Sequence, residues 1–225
     1  MPTFFERLRA ETELERQGLS QIPQITDALR GAISRDTYIA FLEQAYHHVR
    51  CTVPLMMAAG SRLSHQQEYL CEALVEYVKE EVGHQDRILS DISYLGGDAE
   101  AVRHGKPNFA TEVMVAYAFD SVCRINPVSF FGMVFVLEGT STALATKAAD
   151  AIRKSLRLSK DGFSYLYSHG TLDLEHMKFF EQLVNRIPEE PNRQAIIHMS
   201  KRMFRLYGNV FRSIPHISSQ VQDVA

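Results

Sequence analysis

The sequence predicts an all-α protein, a single bundle of about seven to eight helices. Apolar residues recur with a period near 3.6 along nearly every segment, and no segment alternates as a half-buried strand would. The 225 residues contain no linker, repeat or low-complexity tract. We therefore expect one domain over residues 1–225, with a tail from about residue 215 that carries no pattern and should fray.

Capping residues, glycines and prolines set the expected helix limits. Gly18 is expected to end the first helix, and Pro54 to kink the third. Asn126 is suited to cap a helix that has Pro127 in its first turn. The expected helices cover residues 3–17, 22–33, 36–60, 66–95, 110–124, 127–156, 162–187 and 191–213.

Composition excludes several classes of partner. The formal net charge of -3 does not favour nucleic acid or an anionic membrane surface. The chain has no uninterrupted apolar run long enough for a membrane span, and its first residues lack the apolar core of a signal peptide. We therefore expect a cytoplasmic protein. Its cysteines, Cys51, Cys71 and Cys123, form no CxxC pair and are expected to be reduced and buried.

Three metal-ligand side chains interrupt the apolar face of the helix expected over residues 162–187. His169, Asp173 and His176 are spaced HxxxDxxH. Because a helix advances about 100° per residue, the three lie close to one line along it. That line continues through apolar residues, so it should face the core. A carboxylate buried there would be costly without a positive partner, and a metal ion is the simplest one.

Two other helices carry acidic or imidazole groups on faces that should be apolar. Glu81 and His84 replace two core positions in the helix expected over residues 66–95, whereas Glu80 belongs to a row that should face solvent. Glu138 lies in SFFGMVFVLEGTSTALA, the most apolar stretch of the chain. The pattern therefore selects Glu81 over Glu80.

Together these helices supply three carboxylates and three imidazoles. Any one of them alone is explained by a satisfied core histidine, a buried hydrogen-bonded pair or a salt bridge between helices. The whole set is more than one metal ion needs and suits two. Imidazole and carboxylate ligands without a thiolate favour iron, and manganese fits the same set. The predicted ligands are Glu81, His84, Glu138, His169, Asp173 and His176.

At these residues the chain resembles the heme-oxygenase-like diiron oxidases and oxygenases, which share the helical fold of heme oxygenase, TenA and PqqC. The resemblance rests on ExxH at Glu81 and His84, on Glu138, and on HxxxDxxH at His169–His176. The text EEVGHQDRILSDISYLGG is also similar to the corresponding helix end. The resemblance extends over about residues 20–210 and is specific for the metal site, not for the substrate.

The resemblance implies a cofactor of two Fe(II) ions per chain, with O2 as co-substrate. It implies that Glu81, His84 and His169 hold one iron, and Glu138, Asp173 and His176 the other. A peroxo-diferric species would then attack a small organic substrate such as a fatty acid or an amino acid. Residues expected near that substrate are Tyr46, His48, Phe131 and Phe135. No nucleic acid or membrane partner is expected, and the sequence is compatible with a homodimer.

Three other functions compete with this interpretation. A metal-free TenA- or PqqC-like enzyme would need a nucleophilic cysteine, for which Cys123 is the candidate, but the motif around it differs. A heme oxygenase would need a glycine-rich helix over the heme, which Gly132 and Gly139 do not form. A helical interaction or regulatory protein could keep the site as a vestige. The first would leave HxxxDxxH unexplained, and the retention of all six ligand-type residues argues against the third.

Overall fold

The computed structural model describes residues 2–216, except for the side chains of residues 169–175. All regular structure in this part of the chain is helical, which confirms the all-α prediction. The expected fraying beyond residue 215 falls almost entirely outside the described residues. The α-helices are α1 (Phe4–Glu11), α2 (Glu13–Ser20), α3 (Pro23–Arg30), α4 (Arg35–Val49), α5 (Thr52–Gly60), α6 (Glu68–Glu81), α7 (His84–Tyr94), α8 (Ala99–His104), α9 (Phe109–Asp120), α10 (Phe130–Ser155), α11 (Ser164–Asn185) and α12 (Glu190–Arg212).

The described helices outnumber the expected seven to eight because several long ones are divided. The helix expected over residues 36–60 ends at Val49, and α5 starts at Thr52. Pro54 is the third residue of α5, and the helix is interrupted at Arg50 and Cys51, in the turn that precedes it. The disturbance expected from this proline thus takes the form of a break between two helices. The first expected helix is divided at Thr12, and Gly18 lies within α2 instead of ending a helix.

The helix expected over residues 66–95 is interrupted between two predicted ligands. Val82 is extended, with ψ of 123°, and Gly83 has φ of 88°. Glu81 is consequently the last residue of α6, and His84 is the first residue of α7. The apolar periodicity continues across the break, which explains why the sequence pattern did not reveal it.

Helix α10 is the central element and packs against α3, α11 and α12. Every residue from Phe130 to Val136 is buried. The carbonyl of Gly132 accepts a hydrogen bond from the Ser200 hydroxyl (3.3 Å), and a Cβ on Gly132 would lie 2.5 Å from the carbonyl oxygen of Ile196. The glycine therefore allows α10 and α12 to approach closely.

The same helix is the one described segment that is long and apolar enough to cross a membrane. The segment Pro127–Ser155 reaches a mean hydropathy of 1.5 in its most apolar window. Of that window, 56% is buried against other helices of the chain. The core helix of a soluble protein meets the same criteria, so length and composition alone are weak evidence for a span.

Two apolar cores meet along α10. The apolar side chains from Phe130 to Val136 belong to a core formed with α1, α5, α6, α9 and α12. Further along the helix, Ala145, Ala149 and Ile152 belong to a second core formed with α4, α7 and the start of α11. Glu138 lies between these two sets, with its side chain 11% exposed.

A buried carboxylate joins α7 to the beginning of α11. Asp91 is fully buried, and its Oδ1 accepts hydrogen bonds from the Ser164 N–H (3.0 Å) and hydroxyl (2.7 Å). Its Oδ2 accepts from the Tyr165 N–H at 2.9 Å. Burial raises the pKa of Asp91, and the three hydrogen bonds oppose that shift. Asp91 thus supplies the acceptors that the first turn of α11 lacks.

We expect Gly83→Ala to lower the free energy of unfolding by about 1 kcal/mol, because residues with a Cβ adopt a positive φ only at a cost of about 1–2 kcal/mol. No atom lies within 4 Å of the added Cβ, so the effect is conformational and not steric. Urea denaturation measures it. The control is Gly18→Ala within α2, where the added Cβ also meets nothing within 4 Å. The control variant should gain up to about 1 kcal/mol in free energy of unfolding. An equal gain in Gly83→Ala would contradict the left-handed conformation of Gly83.

We expect Asp91→Asn to cost about 1–3 kcal/mol of stability, because one donor of α11 would face the amide nitrogen and lose its acceptor. Ser164→Ala removes only the hydroxyl bond and should cost about 1 kcal/mol or less. Urea denaturation of both variants and the parent gives the comparison. Equal losses would show that the backbone N–H bonds to Asp91 contribute little.

Candidate metal centre

Glu81 and His84 face each other across the break between α6 and α7. Glu81 Oε2 lies 3.2 Å from His84 Nδ1, and both side chains are buried. Gly83 turns the chain between them. The pair is therefore set by the break and not by the pitch of a continuous helix.

His176 of α11 lies between two carboxylates. Its Nε2 is in hydrogen-bond contact with Oε2 of Glu80, which is 46% exposed. Its Nδ1 lies 3.6 Å from Oε1 of Glu138, which exceeds ordinary hydrogen-bond length. The Tyr77 ring meets the imidazole edge to face, with ring centroids 5.8 Å apart. His176 consequently links α6 to α10.

Glu81 and Glu138 line the same small cavity, of about 70 Å³, which we call the metal-side cavity. His48 lines it too, as do Tyr165 and Tyr207. The remaining lining is mostly apolar and comes from α4, α5 and α10. The described lining side chains are His48, Val49, Thr52, Met56, Glu81, Phe130, Met133, Val134, Leu137, Glu138, Ser141, Tyr165 and Tyr207. This lining contains carboxylates but neither lysine nor arginine.

The structure describes four of the six predicted ligands. Glu81, His84, Glu138 and His176 form carboxylate–imidazole pairs at and beside the metal-side cavity. The side chains of His169 and Asp173 lie outside the described residues, although the backbone of α11 runs through both positions. Among the described side chains, no three of His, Cys, Asp or Glu are grouped so as to hold an ion.

Glu80 is a site residue that the sequence reasoning missed. Its side chain is half exposed, as the solvated row implies, yet its carboxylate contacts His176. The exposure predicted for Glu80 is confirmed, and the contact with His176 is what the sequence pattern did not indicate. No sequence signal identifies this contact, because it depends on which helix packs beside α6.

Of the four residues expected near a substrate, one lines the metal-side cavity, and the other three lie in the apolar cores or at a groove. His48 lines the metal-side cavity. Tyr46 lies in the second core, with the Arg50 guanidinium 5.6 Å from its ring centroid. Phe131 is fully buried in the first core. Phe135 stacks on Phe180 and lines a groove beside α1 and α2. Of the four, only His48 belongs to the described lining of the metal-side cavity.

The four described donors, two carboxylates and two imidazoles, are of the residue types that bind a metal ion. A metal-bound histidine commonly donates its second N–H to a carboxylate, which fixes the tautomer. Glu80 provides such a carboxylate at Nε2 of His176, while Nδ1 is directed at Glu138. A neutral imidazole has one N–H, so when Nε2 donates to Glu80 the Nδ1 atom carries a lone pair. A lone pair on Nδ1 and a carboxylate oxygen of Glu138 are both groups that bind a metal ion.

The cysteines do not contribute to this site. Cys51, Cys71 and Cys123 are half-buried thiols, not the fully buried residues expected from the sequence. None of them lines the metal-side cavity as described. Burial raises the pKa of Cys51, with Arg50 opposing the shift, so this thiol is less readily ionised than a free cysteine.

Comparison with known structures places the chain in one fold. A domain of unknown function with a heme-oxygenase-like fold from Shewanella denitrificans has 20% identity and a TM-score of 0.82, covering 95% of this chain and 92% of that one. A TenA homologue from Pseudomonas syringae pv. tomato has 8% identity and a TM-score of 0.79, covering 94% and 92%. Heme oxygenase from Leptospira interrogans has 17% identity and a TM-score of 0.74, covering 93% and 98%.

These likenesses confirm the predicted heme-oxygenase-like, TenA-like fold. A comparison with proteins of curated function finds no significant match. A family model described as an iron-containing redox enzyme matches residues 39–208, which include all six predicted ligands. With this match over most of its length, the chain belongs to the heme-oxygenase-like family of iron-containing redox enzymes.

Proposed function

We propose that the protein is a non-heme diiron oxidase or oxygenase that uses O2 to oxidise a small organic substrate. The observation that carries the proposal is the placement of His176 between Glu80 and Glu138, with Glu81 and His84 at the same site. The residues that would hold two Fe(II) ions are Glu81, His84, Glu138, His169, Asp173 and His176. Manganese would suit the same oxygen and nitrogen donors.

The charges that line the metal-side cavity favour a bound metal ion over a network of ion pairs between side chains. Glu81 and Glu138 are directed into a largely apolar cavity whose described lining has no lysine or arginine. A cation bound there would compensate the charges of both carboxylates at once. The pairs with His84 and His176 are those expected of ligands whose geometry is already set.

The protein's own contribution to the reaction follows from these contacts. Bound iron would supply the capacity to activate O2. Glu80 holds the imidazole of His176 through Nε2 and fixes which nitrogen is available. Phe130, Met133, Val134 and Leu137 line the cavity and exclude water from the reacting groups. His48 and Tyr165 are among the polar side chains that line the cavity and are placed to contact a substrate there.

We expect Fe(II) to stabilise the parent protein by about 2.7 kcal/mol at a free concentration of about 100 times Kd. Glu138→Gln should lose this gain, while its metal-free stability should change little because the amide has the same shape and no charge to bury. Anaerobic urea denaturation with and without Fe(II) measures both quantities.

The matched control for that experiment is Glu76→Gln. Glu76 is an exposed residue of α6 whose carboxylate pairs with Lys79 at 2.7 Å. This variant should retain the stabilisation by Fe(II) in full. Retention of the gain in Glu138→Gln as well would exclude Glu138 as a ligand.

We expect the protein, purified without O2 and loaded with Fe(II), to bind about two irons per chain. On exposure to O2 it should consume the gas faster than free iron does and develop a transient visible absorption. His84→Ala and His176→Ala should abolish both signals, because each removes a nitrogen donor. His198→Ala, on the exposed side of α12, is the control and should behave as the parent.

Iron content and O2 consumption separate the competing functions. A folded protein that takes up no iron would overturn the diiron proposal and favour a metal-free enzyme of this fold or an interaction protein. Iron binding that stabilises the chain without any O2 consumption would favour a vestigial site.

A further inference from the structure

A second cavity adjoins the metal-side cavity. It lies between α3, α4, α10 and α12 and has a volume of about 100 Å³. We call it the apolar cavity, because its walls consist mainly of hydrocarbon. Its walls include Ile25, Leu29, Phe41, Leu144, Ala148 and Ile152.

Five polar side chains in these walls are bonded within the protein. Each of the following hydroxyl or amide groups has a partner inside the chain, so these five offer a guest molecule few available donors. The bonds are Gln24 to the Ile214 carbonyl (3.3 Å), Thr37 with the Ser34 hydroxyl (2.9 Å), Tyr38 to the Gly162 carbonyl (3.2 Å), Thr140 to the Val136 carbonyl (2.6 Å) and Ser141 to the Glu138 carbonyl (3.1 Å).

Shared residues show that the two cavities are neighbours. Ser141, Tyr165 and Tyr207 line both of them. On the metal side, the Tyr207 ring meets the ring of His48 edge to face, with centroids 5.8 Å apart. On the other side it contacts the ring of Phe211, with centroids 4.8 Å apart. The boundary between the cavities is thus made of side chains from α10, α11 and α12.

We propose that the substrate is an amphipathic molecule that occupies both cavities at once. A polar, metal-binding group lies in the metal-side cavity, and a compact apolar group lies in the apolar cavity beyond Tyr165 and Tyr207. This inference rests on the proposed function, and it narrows the substrate to molecules whose far end is uncharged and of limited size.

The volume of the apolar cavity limits the size of the group it can hold, and the cost of desolvation limits its charge. An apolar cavity of about 150 Å³ accommodates benzene. The apolar cavity is smaller, so it fits a short or branched alkyl group of about four carbons. A charged group at that end would have to be desolvated without a partner, which costs several kcal/mol. A charged side chain is therefore disfavoured inside the apolar cavity, while aliphatic side chains of amino acids and the chains of short aliphatic acids fit it.

Straight-chain carboxylates from acetate to dodecanoate are the probes for this proposal. Their binding to the Fe(II)-loaded protein is measured by calorimetry without O2. Burial of each methylene is worth about 0.8 kcal/mol, so affinity should rise about fourfold per carbon. The rise should stop about four carbons beyond the point where the chain passes Tyr165 and Tyr207, because the apolar cavity is then filled. Affinity that is independent of chain length, or that keeps rising to dodecanoate, would overturn the proposal.

A matched pair of variants on α10 locates the chain-length effect. Ala148→Leu places a larger side chain into the apolar cavity and should end the rise at least two carbons earlier. Thr146 is exposed on the same helix, two residues before Ala148, and lines neither cavity as described. Thr146→Leu adds the same side chain outside the cavity and should therefore reproduce the parent profile. Equal profiles for the two variants would mean that the probes bind elsewhere.

Xenon binding to the metal-free protein separates this inference from the proposed function. Xenon-129 NMR should detect a bound signal in the parent and in Thr146→Leu, and a weakened one in Ala148→Leu. A protein that binds xenon in this way but takes up no iron would refute the diiron function and leave the apolar cavity established. A protein that binds iron and carboxylates but shows no xenon site affected by Ala148→Leu would refute the inference alone.

Discussion

The burial of acidic side chains between two apolar cores is the constraint on which the rest of the structure depends. Helix α10 enters the first core with an unbroken run of buried residues and reaches the second only at Ala145. Glu138 lies between them, where a charge is costly unless another group compensates it. His176 provides one such group from α11, and Glu80 in turn holds the other side of that imidazole. A charged centre inside a helical bundle thus needs contributions from three helices.

The end of α6 directs two adjacent carboxylates to different partners. Glu80 and Glu81 are both residues of α6, and adjacent residues of a helix point about 100° apart. Glu80 therefore contacts His176 of α11, while Glu81 faces His84 across the break at Val82-Gly83. The left-handed conformation at Gly83 is what allows the turn. Conformational strain is avoided because that position is a glycine.

The two cavities divide the site into regions of different chemistry. The metal-side cavity contains Glu81 and Glu138, and the adjoining apolar cavity contains hydroxyl groups that are already bonded within the chain. Tyr165 lies at the boundary, one residue into α11 after Ser164. The bonds from Asp91 fix both the start of α11 and the backbone of Tyr165. The same contact therefore positions the helix that carries His176 and the wall between the cavities, which links the stability of α11 to the shape of the site.

The sequence by itself determined the helical class, the central apolar helix and the residues that are chemically suited to bind iron. These follow from periodicity and from the cost of placing acids on apolar faces, both of which are local properties. Only the tertiary structure decided that the chain breaks at Gly83, that Glu80 reaches His176, and that Tyr46 and Phe131 serve the cores while His48 lines the cavity. A turn between two helices of matching periodicity leaves the pattern unchanged, and the partner of a half-exposed carboxylate depends on which helix packs beside it.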